Sequence, residues 1–371
     1  MQSSSIFTQQ KGEVYARQIA FCAAFILPMG KLLEAPSLLA SFAKGDILLP
    51  AILQFLAQTL ALLGVLYASS CSEKSLWVRI QQRLGKGVRF FYIFFAFYYL
   101  FFAILPLLDF EKFVYAAFFD TAPTTFSFGF FFILLAFVCS KGIKSFSRCA
   151  DLCLFLFLLP FFALIVMACF ETDLTKLLPF FGSPFKGISQ AVSHTAMHFS
   201  DTLLLFPLIA KLQYKKGDGV KITLGYGAGA LMTMIFLAVF FGIFSSVAPR
   251  EHYAFSKIAQ YFSALKVLGR VDLVFIYLLS IVLLFYTCLP LLYTTECFAS
   301  IFSLKTKTFP AVTLSFCLFL FTLFMNKYYN SFYSVISGTC APIFLFISYL
   351  LPIFCLLLST QGVSYVHQTK T

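Results

Sequence analysis

The chain alternates between long apolar runs and short polar loops. Runs without internal charge cover Ile47–Ser72, Phe90–Leu108, Thr121–Ser140, Leu152–Phe170, Ile222–Pro249, Leu273–Thr295 and Thr308–Asn326, and a last span at about Pro342–Leu358 lies within Tyr328–Val366. Crossing a bilayer takes roughly 20 largely apolar residues, so each run predicts one transmembrane helix. Two further candidates are interrupted. Gln18–Gly30 is broken by Lys31 and Glu34 and resumes through Ala35–Ala43; Gly187–Ser200 is broken by Asp201 and resumes through Thr202–Ala210. At ~1.5 Å per residue each is long enough only if its two halves are joined. With both counted, the pattern predicts an all-α integral membrane protein of about ten transmembrane helices.

The broken spans are the first and the sixth, so each opens a block of five. Transporters built from inverted repeats place discontinuous helices in corresponding positions of their two halves, with the solute site at the midplane beside the breaks. The expectation is one polytopic domain over residues 1–371, with a first repeat at about 17–170 and a second at about 187–360. Freed backbone groups and half-helix dipoles at such breaks suit an amino-acid zwitterion. Its carboxylate fits a helix N-terminus and its ammonium fits exposed carbonyls.

The first break reads Leu27-Pro28-Met29-Gly30-Lys31-Leu32-Leu33-Glu34-Ala35-Pro36. Pro28, Gly30 and Pro36 weaken regular hydrogen bonding, and Gly30 lets backbone approach a ligand. Lys31 and Glu34, at i and i+3, share a helical face. Two readings stand: a self-neutralising pair that makes burial tolerable, or a functional pair. In the second, Lys31 replaces a coupling cation or holds a carboxylate, and Glu34 binds or carries a proton. The second break reads Ser193-His194-Thr195-Ala196-Met197-His198-Phe199-Ser200-Asp201-Thr202. His194, His198 and Asp201, at i, i+4 and i+7, fall on one helical face. A proton relay, a polar pocket lining and interhelical hydrogen bonding are the readings here. Two histidines at this spacing also suit zinc, but no third ligand accompanies them, so no metal is expected. The expected solute-binding residues are Gly30, Lys31, Glu34, His198, Ser200 and Asp201, with proton coupling through Glu34, His198 and Asp201. Asp151 beside Arg148 reads as an interfacial pair, and Glu296, late in its span, as reaching the interface.

Composition agrees with the pattern. Of 371 residues 60% are hydrophobic and 11% charged, with 52 Phe and 18 Tyr. A soluble domain carries about a quarter charged residues. The eleven Cys are scattered through apolar runs without a CxxC or Cys/His pattern, and imply neither disulfides nor metal. The net charge of +12 raises nucleic acid as a partner, but the basic residues follow topology instead. With the N-terminus inside, the inner loops carry Lys11 and Arg17, the Lys74–Arg89 group, Lys141, Lys144 and Arg148, and Lys211–Lys221, while the outer loops hold fewer. Both termini are then cytoplasmic. Residues 1–16 are polar and the first apolar segment lacks a processing site, so that segment is expected to be its own insertion signal. Ser72–Val88 predicts an amphipathic helix on the inner surface and His252–Gly269 a surface helix on the other side. No nucleotide-binding glycine loop, catalytic triad or zincin motif appears, so an enzyme is not expected, nor a cofactor.

Short motifs in order along nearly the whole chain resemble the spore-germination permease family. They are Ala16-Arg17-Gln18-Ile19 before the first break, Lys141-Gly142-Ile143 with Arg148-Cys149-Ala150-Asp151, Leu174-Thr175-Lys176-Leu177-Leu178-Pro179-Phe180, and Asn330-Ser331-Phe332. The family comprises the permease-like subunits of germinant receptors, within the amino acid–polyamine–organocation superfamily. The resemblance implies a LeuT-type fold of two inverted five-helix repeats, with a pocket between spans 1, 3, 6 and 8. It also implies an amino-acid-like germinant, partner receptor subunits, and a place in the cell or spore inner membrane. The charged Gly30-Lys31-Leu32-Leu33-Glu34 departs from a family break that is usually glycine-rich and uncharged. The rival readings are a proton-coupled amino acid transporter of the same superfamily and a structural or assembly protein with a vestigial pocket.

Overall fold

The computed structural model describes residues 14–72, 74–118, 128–178, 181–261, 272–304 and 306–360, and among them there is no strand. The helices, in chain order, are α1 Ala16–Met29, with a π turn over Cys22–Ile26, and α2 Ala35–Ala43. Then come α3 Leu48–Ser70, α4 Leu76–Leu84, α5 Val88–Phe118 and α6 Gly129–Glu171. The second half holds α7 Phe185–Thr195, α8 Asp201–Lys211, α9 Asp218–Phe244 and α10 Ala254–Tyr261. It closes with α11 Asp272–Ile301, α12 Thr308–Met325, α13 Tyr329–Ser334, a π turn Val335–Cys340 and α14 Ala341–Thr360.

Seven helices among the described residues are long and apolar enough to cross a membrane, and two shorter apolar stretches accompany them, α1 and the last part of α6, Phe161–Glu171. This is a multi-pass membrane protein. Its outer surface is apolar where lipid meets it, with Leu60, Phe90, Phe130, Leu224 and Phe324 all exposed. Polar side chains collect inside instead, the reverse of a soluble fold.

Local chemistry explains the irregularities. α6 runs through Lys141-Gly142, where Gly142 takes φ 79° and ψ 175° and kinks the helix. Only glycine adopts that conformation at no cost. α1 is packed on α9, where Gly229 brings its backbone against the Ala23 and Ala24 carbonyls. Pro28 supplies no N–H to the Ala24 carbonyl four residues back, so a close glycine approach at that point meets no regular helical bond. Pro207 does the same to Leu203 in α8, and the Tyr99 hydroxyl donates to the freed Leu203 carbonyl at 2.9 Å. Tyr293 donates to the next carbonyl, Leu204, also at 2.9 Å.

Both expected surface helices have counterparts. α4 buries Leu76, Trp77 and Ile80, and Arg79 donates to the Ala68 carbonyl at 2.5 Å. α10 fills the first half of the expected His252–Gly269 helix, and the second half lies outside the described residues; Asp151, expected to pair with Arg148, falls within α6, and its side chain is outside what is described. Every cysteine among the described residues is free.

Candidate functional site

The two interrupted helices meet each other. α1 gives way at Gly30, and residues 30–34 form a turn and bends before α2 begins with Ala35-Pro36. Pro36 lies in the first turn of α2, where a missing N–H costs nothing. α7 ends at Thr195, residues 196–199 turn, and α8 starts at Asp201.

One ion pair joins the breaks. Lys31 Nζ lies 2.5 Å from Asp201 Oδ1 and also donates to the Leu27 carbonyl at 3.3 Å. Tyr226 of α9 donates to the other carboxylate oxygen, Asp201 Oδ2, at 2.9 Å. The ammonium lies over the rings of Phe199 and Phe55, at 5.4 and 5.8 Å from their centroids. Lys31 and Asp201 are each 1% exposed. Thr202 then anchors the start of α8 to α3, its N–H donating to Gln58 Oε1 at 3.1 Å.

This corrects the pairing that helical spacing predicts. Lys31 and Glu34 do not share a face, because the backbone between them has left the helix and the i, i+3 rule no longer applies. Glu34 instead meets His252 Nδ1 at 3.0 Å, just ahead of α10. The backbone N–H groups of Ala254 and Phe255 also donate to the Leu33 and Leu32 carbonyls, at 3.0 and 3.1 Å. The break's orphan carbonyls are thus capped by the segment that precedes and opens α10.

The row His194, His198, Asp201 is split in the same way. His194 stacks on Phe42, ring centroids 4.5 Å apart and planes 11° apart. His198 touches the Gly30 backbone and faces a small cavity, and Asp201 faces Lys31. Ser200 turns its hydroxyl back to the Ala196 carbonyl at 2.8 Å. Of the expected site residues, Gly30, Glu34 and His198 line the cavity together, Lys31 and Asp201 form the ion pair beside it, and Ser200 serves the break's backbone. The cavity, about 20 Å³, is also lined by Asp109 of α5 and by Tyr286 and Thr287 of α11. Sequence reading missed Asp109, Tyr226, Tyr286 and His252. Asp109 follows an apolar run and precedes Lys112, so it looks like a loop residue, and the tyrosines are lost among many aromatics.

Gly30 has no room for a side chain. A Cβ there would sit 2.2 Å from Cζ of Tyr286. Gly30→Ala is therefore expected to push the Tyr286 ring out of the cavity wall and lower stability by about 1–3 kcal/mol, the usual cost of overpacking. Thermal unfolding of the purified variant checks this.

His252 lies outside the spanning segments, and the hydrogen bond to Glu34, with the Glu34 charge, raises its pKa above 6.5; Glu251 adds to this while partial burial and Lys257 oppose it. A raised folded-state pKa means that the pair's contribution is full below pH 6.5 and is lost as pH rises through the folded value. The side chain is 67% exposed, so solvent screening keeps the effect small. The unfolding midpoint of the wild type is expected to fall with rising pH over this range more than that of His252→Gln, which a pH series of melts reads directly.

At the other end of these helices is a second charged cluster. Glu296 of α11 is paired with Lys211, the last residue of α8, and with Lys307 at 2.7 Å. The expectation that Glu296 reaches the interface is corrected: it is 6% exposed, because two cations and the kink at Gly142 close around it. No group of three or more His, Cys, Asp or Glu suited to a metal ion occurs among the described residues.

The sequence matches the family model for spore germination proteins over residues 37–333. The chain belongs to the spore germination protein family. No curated protein matches it significantly. Among solved structures, two variants of the Eremococcus coleocola manganese transporter superpose with TM-scores of 0.55 and 0.56, at 13% and 12% identity. Each alignment covers 94% of this chain and 77% of the transporter. At that identity the likeness establishes a fold shared with that transporter, and the family to which the germination protein belongs is one of permeases and not of enzymes.

Proposed function

We propose that this germination protein binds a small amino-acid-like solute between its two helix breaks, as the permease-like subunit of a spore germinant receptor. The observation that carries this is the Lys31–Asp201 pair, a fully buried charge pair that ties one non-helical segment to the other. Charges inside a membrane are costly and accompany solute or ion paths. Binding that rearranges either break must rearrange this pair, which gives the site a means of signalling.

The ten-span reading groups α1 with α2 and α7 with α8 as the discontinuous first and sixth spans, and divides α6 at its kink. Packing supports an inverted five-plus-five repeat. α1 contacts α9, and the corresponding pair in the other half, α7 and α3, is also in contact. The distribution of basic loops supports a topology with both termini in the cytoplasm, the Glu34–His252 end outside and the Lys211–Glu296–Lys307 end inside. The companions in this reading are the lipid of the cell or spore inner membrane and further receptor subunits.

A second reading, a proton-coupled transporter, is favoured by the fold shared with a transporter and by Glu34, His198 and Asp201 at or near one cavity. The test is uptake of a labelled amino-acid mixture into proteoliposomes, with and without an inward proton gradient, beside equilibrium binding on the same preparation. Saturable binding without accumulation supports the receptor subunit. Accumulation that collapses with the gradient establishes the transporter. Neither result would leave a structural protein with a vestigial pocket.

A further inference from the structure

The cavity beside Gly30 is short of positive charge. Asp109 is 4% exposed, yet no cation pairs with it among the described residues. Among the described residues its one hydrogen bond comes from the Tyr329 hydroxyl to Oδ1 at 2.6 Å, which leaves Oδ2 without a donor there. Lys112, one turn on, lies over the Tyr329 ring at 5.6 Å and does not form an ion pair with the carboxylate. Glu34 spends Oε2 on His252, and Oε1 receives no hydrogen bond among the described residues. Tyr286, 4% exposed, makes no hydrogen bond through its hydroxyl among the described residues. These three side chains line one cavity of about 20 Å³.

An unpaired carboxylate in a membrane interior is unfavourable by several kcal/mol, on the order given for intramembrane charges. Three oxygen atoms without donors, two of them on carboxylates, match the three N–H donors of a primary ammonium. A space for about one water molecule fits that group. Lys31 cannot fill the role, because Asp201 already holds it.

We propose that Asp109, Glu34 and Tyr286 form a subsite for a primary ammonium group, so that the solute of this germination protein is an amine or an amino acid bound by its ammonium end. This rests on the solute-binding reading given above and narrows its ligand class. Acids, neutral sugars and other solutes without a cationic group are excluded by it.

The test is thermal unfolding of the full-length protein in detergent with three two-carbon probes: ethylamine, glycine and acetate. Ethylamine and glycine are expected to raise the midpoint and acetate to leave it unchanged. Asp109→Asn keeps an acceptor for Tyr329, and should weaken the response to both ammonium probes by about 30-fold or more, the usual consequence of removing one partner of a buried charge pair. Tyr286→Phe keeps the ring over Gly30 and should weaken it to a lesser degree. The proposal is overturned if acetate acts like ethylamine, if no ammonium probe shifts the wild type, or if Asp109→Asn responds normally. A variant that alters only the pH dependence of stability would make Asp109 a proton site and also overturn it. Labelled amino acids that bind in a Lys31-dependent manner while Asp109→Asn binds them equally well would retire this subsite and leave the solute-binding reading intact. No binding of the mixture to the wild type would retire both.

Discussion

Asp201→Asn is expected to abolish the response to solute and to lower stability by about 3–5 kcal/mol, while the protein still inserts. The substitution is nearly isosteric and preserves an acceptor for Tyr226. What it removes is the one anion paired with Lys31 among the described residues, and the ammonium is left between Phe55 and Phe199 with the Leu27 carbonyl as its hydrogen-bond partner. Lys31→Met strands the opposite charge and should behave alike. The double variant separates the two roles of the pair. Replacing both members of a buried ion pair by apolar groups is often neutral for stability. Lys31→Met with Asp201→Leu should therefore recover most of the lost unfolding free energy. If the pair also answers the solute, binding will not return with stability. Recovery of both would make it a structural clasp and count against a site at the breaks.

Glu296→Gln should have the second large effect, and at the opposite end. Glu296 is shared by Lys211 and Lys307, so its neutralisation leaves two cations close together, one of them only 8% exposed on its side chain. The expected loss is again about 3–5 kcal/mol, because a buried charge is left uncompensated. α8, α11 and the residue before α12 are held together here, so the same variant should open this end. Cys297, next in sequence and 6% exposed, reports on that opening. Maleimide labelling mapped to Cys297 should rise in Glu296→Gln and stay low in Lys307→Met, where the Lys211–Glu296 pair remains. Equal labelling in the wild type and Glu296→Gln would show that the cluster does not hold this end closed.

These two clusters show where linear reading succeeds and where it stops. The apolar runs were legible because lipid imposes the same demand on every residue of a spanning helix, whatever its neighbours. The non-helical stretches at residues 30–34 and 196–199 were legible as well. Pro28, Gly30 and Pro36 weaken a helix by local chemistry, and Lys31, Glu34 and Asp201 are conspicuous in apolar surroundings. α4 announced itself through Trp77 and Ile80 opposite Arg79 and Arg83. Family membership was readable from short motifs in a fixed order.

Partners were not legible. Helical spacing pairs Lys31 with Glu34 three residues on, whereas the fold pairs it with Asp201, 170 residues away. Once a backbone leaves the helix, side chains that periodicity places on one face point in different directions, as His194, His198 and Asp201 do. Asp109 and Glu296 read as ordinary loop and interface residues, and only packing made them buried carboxylates. The sequence alone thus determined the membrane environment and the all-helical character of the chain, since those follow from local transfer and backbone energetics. The tertiary structure decided which charge answers which, because burial and long-range contact have no counterpart in the order of residues along a chain.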